Sequence, residues 1–219
     1  MNGVNEDLPR IAVLGAGHVG PIVARLAAEA GYQVSIAASG DPEEIALTIQ
    51  VLAPGAEPRW AADAVAKADI VVLAIPLHRF AQLEPNLLAG SKVVVDMMNY
   101  WPEVNGSLAE FDRNDVGSSE LVAQRLAGSR VVKTLNHLGY HQIDEEARHA
   151  GDRDRRALGV AGDDPAAVAL VGEFVERIGF DAVPVGRLSA GRLLEPDGPV
   201  FGRPMSRANF ERSLAAVAA

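Results

Sequence analysis

Cysteine is absent from the 219-residue sequence. Its absence excludes disulfide bonds, thiolate nucleophiles and metal sites with cysteine ligands. Lysine and arginine are also sparse: there are 20 of them against 29 acidic residues, which gives a formal net charge of −9. Because nucleic-acid binding requires clustered Lys and Arg, and the sequence has no basic block, we expect no nucleic-acid partner.

Long apolar runs are missing as well, since no stretch approaches the roughly 20 residues that span a bilayer. The polar N-terminus, with Glu6 and Asp7, is unlike a signal peptide. We therefore expect a cytoplasmic protein that does not associate with a membrane. The composition, 48% hydrophobic and 22% charged, is typical of a globular protein with a sizeable core.

Short apolar runs alternate with amphipathic segments along the chain. The runs "RIAVLG", "YQVSIAAS", "DIVVLAIP" and "SKVVVDMM" are nearly unbroken in apolar residues, which is typical of parallel strands covered by helices on both faces. Two predicted helices begin with Asp-Pro, at Asp41 and Asp164, so that Asp is the N-cap and Pro the first helical residue. The pattern predicts an α/β, doubly wound, mostly parallel sheet, the Rossmann dinucleotide-binding fold, with a short C-terminal α/β elaboration. We place a Rossmann domain at residues 1–135 and a small C-terminal part at residues 136–219, which would complete the cleft and a dimer interface.

A glycine pattern typical of phosphate binding follows the first predicted strand. Gly15, Gly17 and Gly20 form G-x-G-x-x-G between a strand and a helix, the context that the motif requires. Gly15 would make the tight turn, Gly17 would let the backbone approach a pyrophosphate, and Gly20 would let helix and strand pack closely. The alternative is a structural glycine turn in a protein that binds no cofactor. The residues expected to hold the pyrophosphate are Gly15, Ala16, Gly17, His18, Val19 and Gly20.

The end of the second strand decides between NAD and NADP. An NAD site usually has Asp or Glu at this point, whereas here the strand ends in Ser39 and Gly40. Ser39 and the start of the helix near Pro42 can donate hydrogen bonds to a 2′-phosphate. No Lys or Arg lies between Arg25 and Arg59, however, and Asp41, Glu43 and Glu44 crowd the end of this strand. We expect NADP(H) and leave NAD(H) as the alternative.

Polar and aromatic residues follow the predicted strand in "VVKTLNHLGYHQ", residues 131–142. A long loop at residues 97–117, with Asn99, Tyr100 and Trp101, precedes it, and long loops in compact domains are often functional. His137 is the first candidate for moving a proton and His141 the second, with a histidine satisfied by the backbone as the alternative. A metal site is less favoured because Gly139 interrupts helical spacing and no third ligand is apparent.

Five segments together resemble the NADP oxidoreductases that depend on the deazaflavin coenzyme F420. They are "IAVLGAGHVG", "DIVVLAIP", "VVKTLNHL", "VAGDDPAAVALVGEFVERIGFDAVPVG" and "LSAGRLLEP", in that order, and they cover most of the chain from about Ile11 to Glu195. The resemblance implies a small Rossmann enzyme, usually a homodimer, that passes a hydride between NADP(H) and F420. Gly40 stands where the family usually has arginine beside the 2′-phosphate.

The resemblance also implies roles for residues at the strand ends. Ile75 and Pro76 would line the nicotinamide riboside, and residues 136–138, with residues 189–192 opposite, would border the two rings. The further candidates for cofactor binding are Ser39, Gly40, Ala74, Ile75, Pro76, His78, Asn99, Asn136, Leu138, Gly139 and Ser189.

Two other functions stay open from the sequence. The first is a reductase of the same architecture with another acceptor, such as a flavin, a ferric chelate or a small carbonyl compound. A carbonyl substrate would need a proton donor, and we expect Lys133 to lie inside its strand rather than at the end. The second is a regulatory module that binds NAD(P)H without chemistry. The polar and aromatic loops count against it, because a sensor needs no second pocket.

Overall fold

One eight-stranded sheet forms the centre of the molecule. The computed structural model describes residues 7–88, 92–112 and 115–218. The strands lie in the order β3-β2-β1-β4-β5-β6-β7-β8, and neighbours are parallel except for β6 and β7, which are antiparallel. The strands are β1 Ile11–Leu14, β2 Val34–Ala37, β3 Ala56–Pro58, β4 Ile70–Leu73, β5 Val93–Asp96, β6 Arg130–Lys133, β7 Ala157–Gly162 and β8 Asp181–Gly186.

Helices cover both faces of the sheet. They are α1 Val19–Glu29, α2 Pro42–Leu52, α3 Ala61–Lys67, α4 Leu77–Phe80, α5 Pro102–Asn105, α6 Ser118–Arg125, α7 Tyr140–Glu145, α8 Pro165–Arg177 and α9 Arg207–Ala218, with 3-10 helices at Pro85–Leu88 and Leu188–Leu194. Both Asp-Pro starts are confirmed as caps. Asp41 Oδ1 accepts a hydrogen bond of 2.9 Å from Glu43 N–H, and Asp164 Oδ1 accepts one of 2.7 Å from Ala167 N–H.

The strands are apolar on both sides because each face packs against helices. In β1, Ile11 and Val13 belong to the core under α1 and α8, whereas Ala12 and Leu14 belong to the core under α3, α4 and α6. A smaller core lies between β7, β8, the 3-10 helix Leu188–Leu194 and α9. The predicted fold class is confirmed: an α/β doubly wound sheet with a short C-terminal α/β elaboration.

The C-terminal part adds β7 and β8 to the same sheet. The boundary between residues 135 and 136 stays a prediction, and it falls between β6 and α7. The C-terminal tail contains the regular helix α9. None of the helices in the described ranges is long and apolar enough to cross a bilayer.

Candidate functional site

The three glycines of the motif differ in the space around them. Gly15 has φ of 121°, and a Cβ added there would lie 2.2 Å from the carbonyl oxygen of Ala74. A Cβ at Gly20 would lie 1.8 Å from the carbonyl oxygen of Gly15, so only glycine lets α1 approach β1 this closely. Nothing lies within 4 Å of the Cβ position of Gly17, which faces open space. The site is open where a pyrophosphate would lie and closed where helix and strand must pack.

The start of α1 is electrostatically suited to an anion. His18 is the N-cap residue without a side-chain cap hydrogen bond, and the first turn has no acidic residue. Backbone N–H groups and the positive end of the helix dipole therefore face this opening. Ala16 and Val19 pack against the core and hold the loop in place. Cofactor binding by these residues stays a prediction.

The helix α7 packs beside the phosphate-binding loop, which the sequence did not indicate. The ring of Tyr140 stacks on His18 at 5.5 Å between ring centroids, and His141 lies 4.0 Å from Tyr140. Arg25 on α1 forms an ion pair with Asp144 on α7, which fixes the two helices to each other. Tyr140 and His141 therefore flank the phosphate side of the site, and Gly139 is the N-cap of α7.

The loop after β4 lies directly against the glycine turn. Ala74 N–H donates to the carbonyl oxygen of Leu14 at 2.9 Å, so the ends of β1 and β4 are joined. Pro76 is exposed and is the N-cap of α4, while Ile75 and His78 are half-buried. These residues lie at the carboxyl edge of the sheet, where open α/β folds bind ligands.

Asn99 and Asn136 join the ends of β5 and β6. Asn99 Nδ2 donates to the carbonyl oxygen of Asn136 at 2.7 Å, and Asn136 Nδ2 donates to Asn99 Oδ1 at 2.9 Å and to the carbonyl oxygen of Leu194 at 2.6 Å. Both amide hydrogens of Asn136 are thus used within the protein. Leu138 is buried, and Leu135 has φ of 64°, a backbone conformation that leucine rarely adopts. The turn after β6 is held tightly at the edge of the site.

His137 is buried and hydrogen-bonded, with 1% of its surface exposed. Its Nε2 accepts a hydrogen bond of 3.2 Å from Gly159 N–H, which places the proton on Nδ1, 3.4 Å from Asn136 Oδ1. Burial, with a smaller contribution from the charge of Lys133, lowers the pKa of His137 to about 3. This arrangement favours a structural role over the predicted proton transfer, because the ring is neutral and does not reach the cleft.

A buried polar network lies behind the ends of β5 and β6. Lys133 is the last residue of β6 rather than an internal one, which corrects our expectation. Its Nζ donates to the carbonyl oxygen of Met98 at 2.6 Å and lies 3.4 Å from both Asp96 Oδ2 and Ser118 Oγ. Ser118 in turn donates to Glu195 through N–H at 2.8 Å and through Oγ at 2.7 Å. The network fixes the start of α6 and the end of the 3-10 helix Leu188–Leu194.

A cavity of about 710 Å³ lies next to this network. Segments that follow β5 line one side, and the 3-10 helix with the loop after it lines the other. The predicted residue Ser189 is among them, whereas Asn136, His137 and Leu138 are not. The lining residues are Tyr100, Phe111, Val116, Ser118, Ser189, Ala190, Arg192, Leu193, Glu195, Pro196, Asp197, Gly198, Pro199 and Val217. The sequence drew attention to residues 97–117 and 189–192, but it did not indicate Glu195–Pro199.

The N-terminal part of the chain matches a known protein family. Residues 10–100, from the start of β1 to the loop after β5, match the model described as "NADP oxidoreductase coenzyme F420-dependent". The resemblance to this family is confirmed. None of the curated proteins matches the sequence.

Solved structures agree with the family match. The chain is similar to a proposed F420-dependent NADP reductase from Arthrobacter sp. FB24, with 26% identity, a TM-score of 0.71, and coverage of 91% of this chain and 100% of that one. It also has the fold of a hypothetical protein, SMa0349, from Sinorhizobium meliloti, with 23% identity, a TM-score of 0.75, and coverage of 92% and 97%. An imine reductase from Pseudomonas sp. shares the fold at 17% identity and a TM-score of 0.58, with 97% of this chain and 64% of that one covered. The family match and the glycine loop at the start of α1 together indicate an NAD(P)-dependent oxidoreductase.

Proposed function

We propose that the protein transfers a hydride directly between a nicotinamide dinucleotide and a deazaflavin of the F420 type. The family match supports both partners, since its description names NADP and coenzyme F420. The observation that carries the proposal is the cavity of about 710 Å³ between the segments after β5 and the 3-10 helix Leu188–Leu194, in addition to the opening at the glycine loop. A protein that only binds a dinucleotide does not need this second space.

The lining of the cavity suits a flat, acidic acceptor. Tyr100, Phe111 and Pro199 offer apolar and aromatic surface for a ring. Arg192 is exposed at the cavity and carries a positive charge that suits the acidic tail of a deazaflavin coenzyme. Ser189 lies on the same 3-10 helix and adds a hydroxyl near the edge of the ring.

The proposed mechanism depends on positioning rather than on acid–base catalysis. With both partners bound, the reduced nicotinamide would supply the hydride, and the acceptor ring would take it together with one proton from solvent. The protein must hold the two reacting carbons about 3 to 3.5 Å apart and exclude water from between them. The Asn99–Asn136 pair and the network around Lys133 join the ends of β5 and β6 by hydrogen bonds and would help to hold this edge of the site in place. His137, neutral and buried, is not required to move a proton.

One observation favours an alternative acceptor, a small carbonyl compound. Lys133 Nζ lies 3.4 Å from Ser118 Oγ, and Ser118 lines the cavity. A proton could pass from the ammonium group through this hydroxyl to a carbonyl oxygen during reduction. The deazaflavin proposal is stronger because the Lys133 side chain is fully buried and does not line the cavity, so a carbonyl substrate there would not contact the ammonium group directly.

The test is a turnover assay with the purified protein. NADPH or NADH is mixed with oxidised coenzyme F420, and loss of the visible absorbance of the deazaflavin is followed, with a panel of small aldehydes and ketones in parallel. We expect reduction of F420 and no oxidation of the dinucleotide by the carbonyl compounds. Tight dinucleotide binding without F420 turnover would contradict the assignment of the acceptor.

A further inference from the structure

A carboxylate lies beside Gly40 in the loop after β2, the region in which Rossmann proteins contact the adenosine ribose. Glu44, on the first turn of α2, points back toward Gly40, and a Cβ added to Gly40 would lie 2.8 Å from Glu44 Oε2. The sequence of the strand end itself, Ala37 to Gly40, contains no acidic residue. The first turn of α2 therefore supplies, next to Gly40, the acidic group that the strand end lacks.

The start of α2 has little left to offer a 2′-phosphate. Pro42, the first helical residue, has no N–H. Glu43 N–H donates to Asp41 Oδ1 at 2.9 Å, and Glu44 N–H donates to the carbonyl oxygen of Asp41 at 3.1 Å. The N–H groups of Glu43 and Glu44 at the helix start are thus used inside the turn, and of the donors that the sequence suggested there, the Ser39 hydroxyl is left.

Cations near this site are also engaged elsewhere. The sequence has no Lys or Arg between Arg25 and Arg59. Arg25 forms ion pairs with Glu29 and Asp144, and Arg59 Nη2 donates to Glu57 Oε2 at 2.7 Å. A 2′-phosphate would meet the Glu44 carboxylate without the arginine that usually neutralises it.

We propose that Glu44 accepts a hydrogen bond from the ribose hydroxyls of the adenosine and thereby selects NAD(H) over NADP(H). The inference rests on the proposed function and names the dinucleotide that the same site takes. A 2′-hydroxyl has a hydrogen to donate to the carboxylate, whereas a 2′-phosphate has none to spare and is repelled by it. Ser39, exposed at the same strand end, supplies a second hydroxyl partner for the ribose.

The experiment measures the dissociation constants of NADH and NADPH by fluorescence titration of the full-length protein, without any acceptor. We expect the wild type to bind NADH at least about tenfold more tightly than NADPH, since one charge-assisted hydrogen bond is worth about that factor. Glu44→Gln should reduce this preference about tenfold. Glu43→Gln, which removes the same charge from the same exposed turn, is the matched control and should leave the preference within about twofold.

Two further variants separate the alternatives. Gly40→Arg has room once the flexible Glu44 side chain moves, and it should pair with Glu44 and shift the preference toward NADPH. Arg59→Ala should not weaken NADPH binding; a loss of NADPH binding there would show that Arg59 swings round to hold the phosphate, and would overturn the inference.

The outcomes distinguish this inference from the proposed function. Wild type that prefers NADPH, or a preference unchanged in Glu44→Gln, would overturn the role of Glu44. Failure to bind either dinucleotide would overturn both proposals. A preference for NADH that depends on Glu44, in a protein that does not reduce F420, would support the inference and contradict only the acceptor.

Discussion

At the scale of single residues, different glycines of the motif should matter for folding and for dinucleotide binding. Gly17→Ala adds a methyl group in open space, so we expect unchanged stability and weaker dinucleotide binding, because the backbone can no longer approach the pyrophosphate. Gly20→Ala places a methyl group 1.8 Å from a backbone oxygen and should lower the free energy of unfolding by about 2 kcal/mol or more. Thermal unfolding and NADH titration of both variants check this. Equal loss of stability in the two variants would contradict it.

The buried side chain of His137 should make the free energy of unfolding depend on pH. Burial lowers its pKa to about 3 in the folded protein, against about 6.5 for an exposed histidine, so between these values the unfolded chain binds a proton that the folded chain does not. The contribution to stability is therefore complete above about pH 6.5 and falls by at most about 1.4 kcal/mol per pH unit as the pH drops toward 3. Urea unfolding at pH 7 and pH 5 measures it.

The His137 prediction needs a variant that removes the titration. His137→Gln should flatten this part of the pH dependence, although the variant itself will be less stable at pH 7. His149→Gln, at an exposed position, is the control and should keep the wild-type slope. A slope in His137→Gln equal to that of the wild type would mean that other groups cause it.

At the scale of elements, the 3-10 helix Leu188–Leu194 is the proposed acceptor side of the cleft. Arg192→Gln should raise the KM for the deazaflavin about tenfold, because it removes a charge-assisted contact to an acidic group. Binding of the dinucleotide should not change, since the phosphate-binding loop belongs to other elements. Arg153→Gln, in the exposed loop before β7, is the matched control. An equal effect of both variants on the KM would indicate general electrostatic attraction and not a contact.

The elements also show what could be predicted from sequence. Strands such as β1, β4 and β5 were predictable because they are buried on both faces and read as continuous apolar runs. The edge strand β3 was missed because three residues, Ala56–Pro58, carry no such run. In the candidate site, the glycine loop follows from local spacing. The burial of His137 depends on contacts with segments distant in sequence, such as Gly159 and Phe210. The position of the Glu44 carboxylate beside Gly40 depends on one side-chain conformation, and a single sequence displays neither.

At the scale of the whole molecule, one sheet brings the two proposed halves of the reaction together. The ends of β1 and β4 carry the proposed dinucleotide site, and segments that follow β5 and β8 line the cavity. The antiparallel pairing of β7 with β6 allows the C-terminal part to return the 3-10 helix to that edge. The homodimer expected from the resemblance stays a prediction.

Isotope transfer tests direct hydride transfer between the two rings. The protein is given oxidised coenzyme F420 and NADH or NADPH that carries deuterium at C4 of the nicotinamide, on each face in turn, in ordinary water. A hydride delivered to the C5 carbon of a deazaflavin forms a C–H bond that does not exchange with solvent. The account therefore predicts that the reduced deazaflavin retains deuterium from one of the two labelled faces, as measured by mass spectrometry. Reduced deazaflavin without deuterium from either face, or no reduction at all, would contradict it.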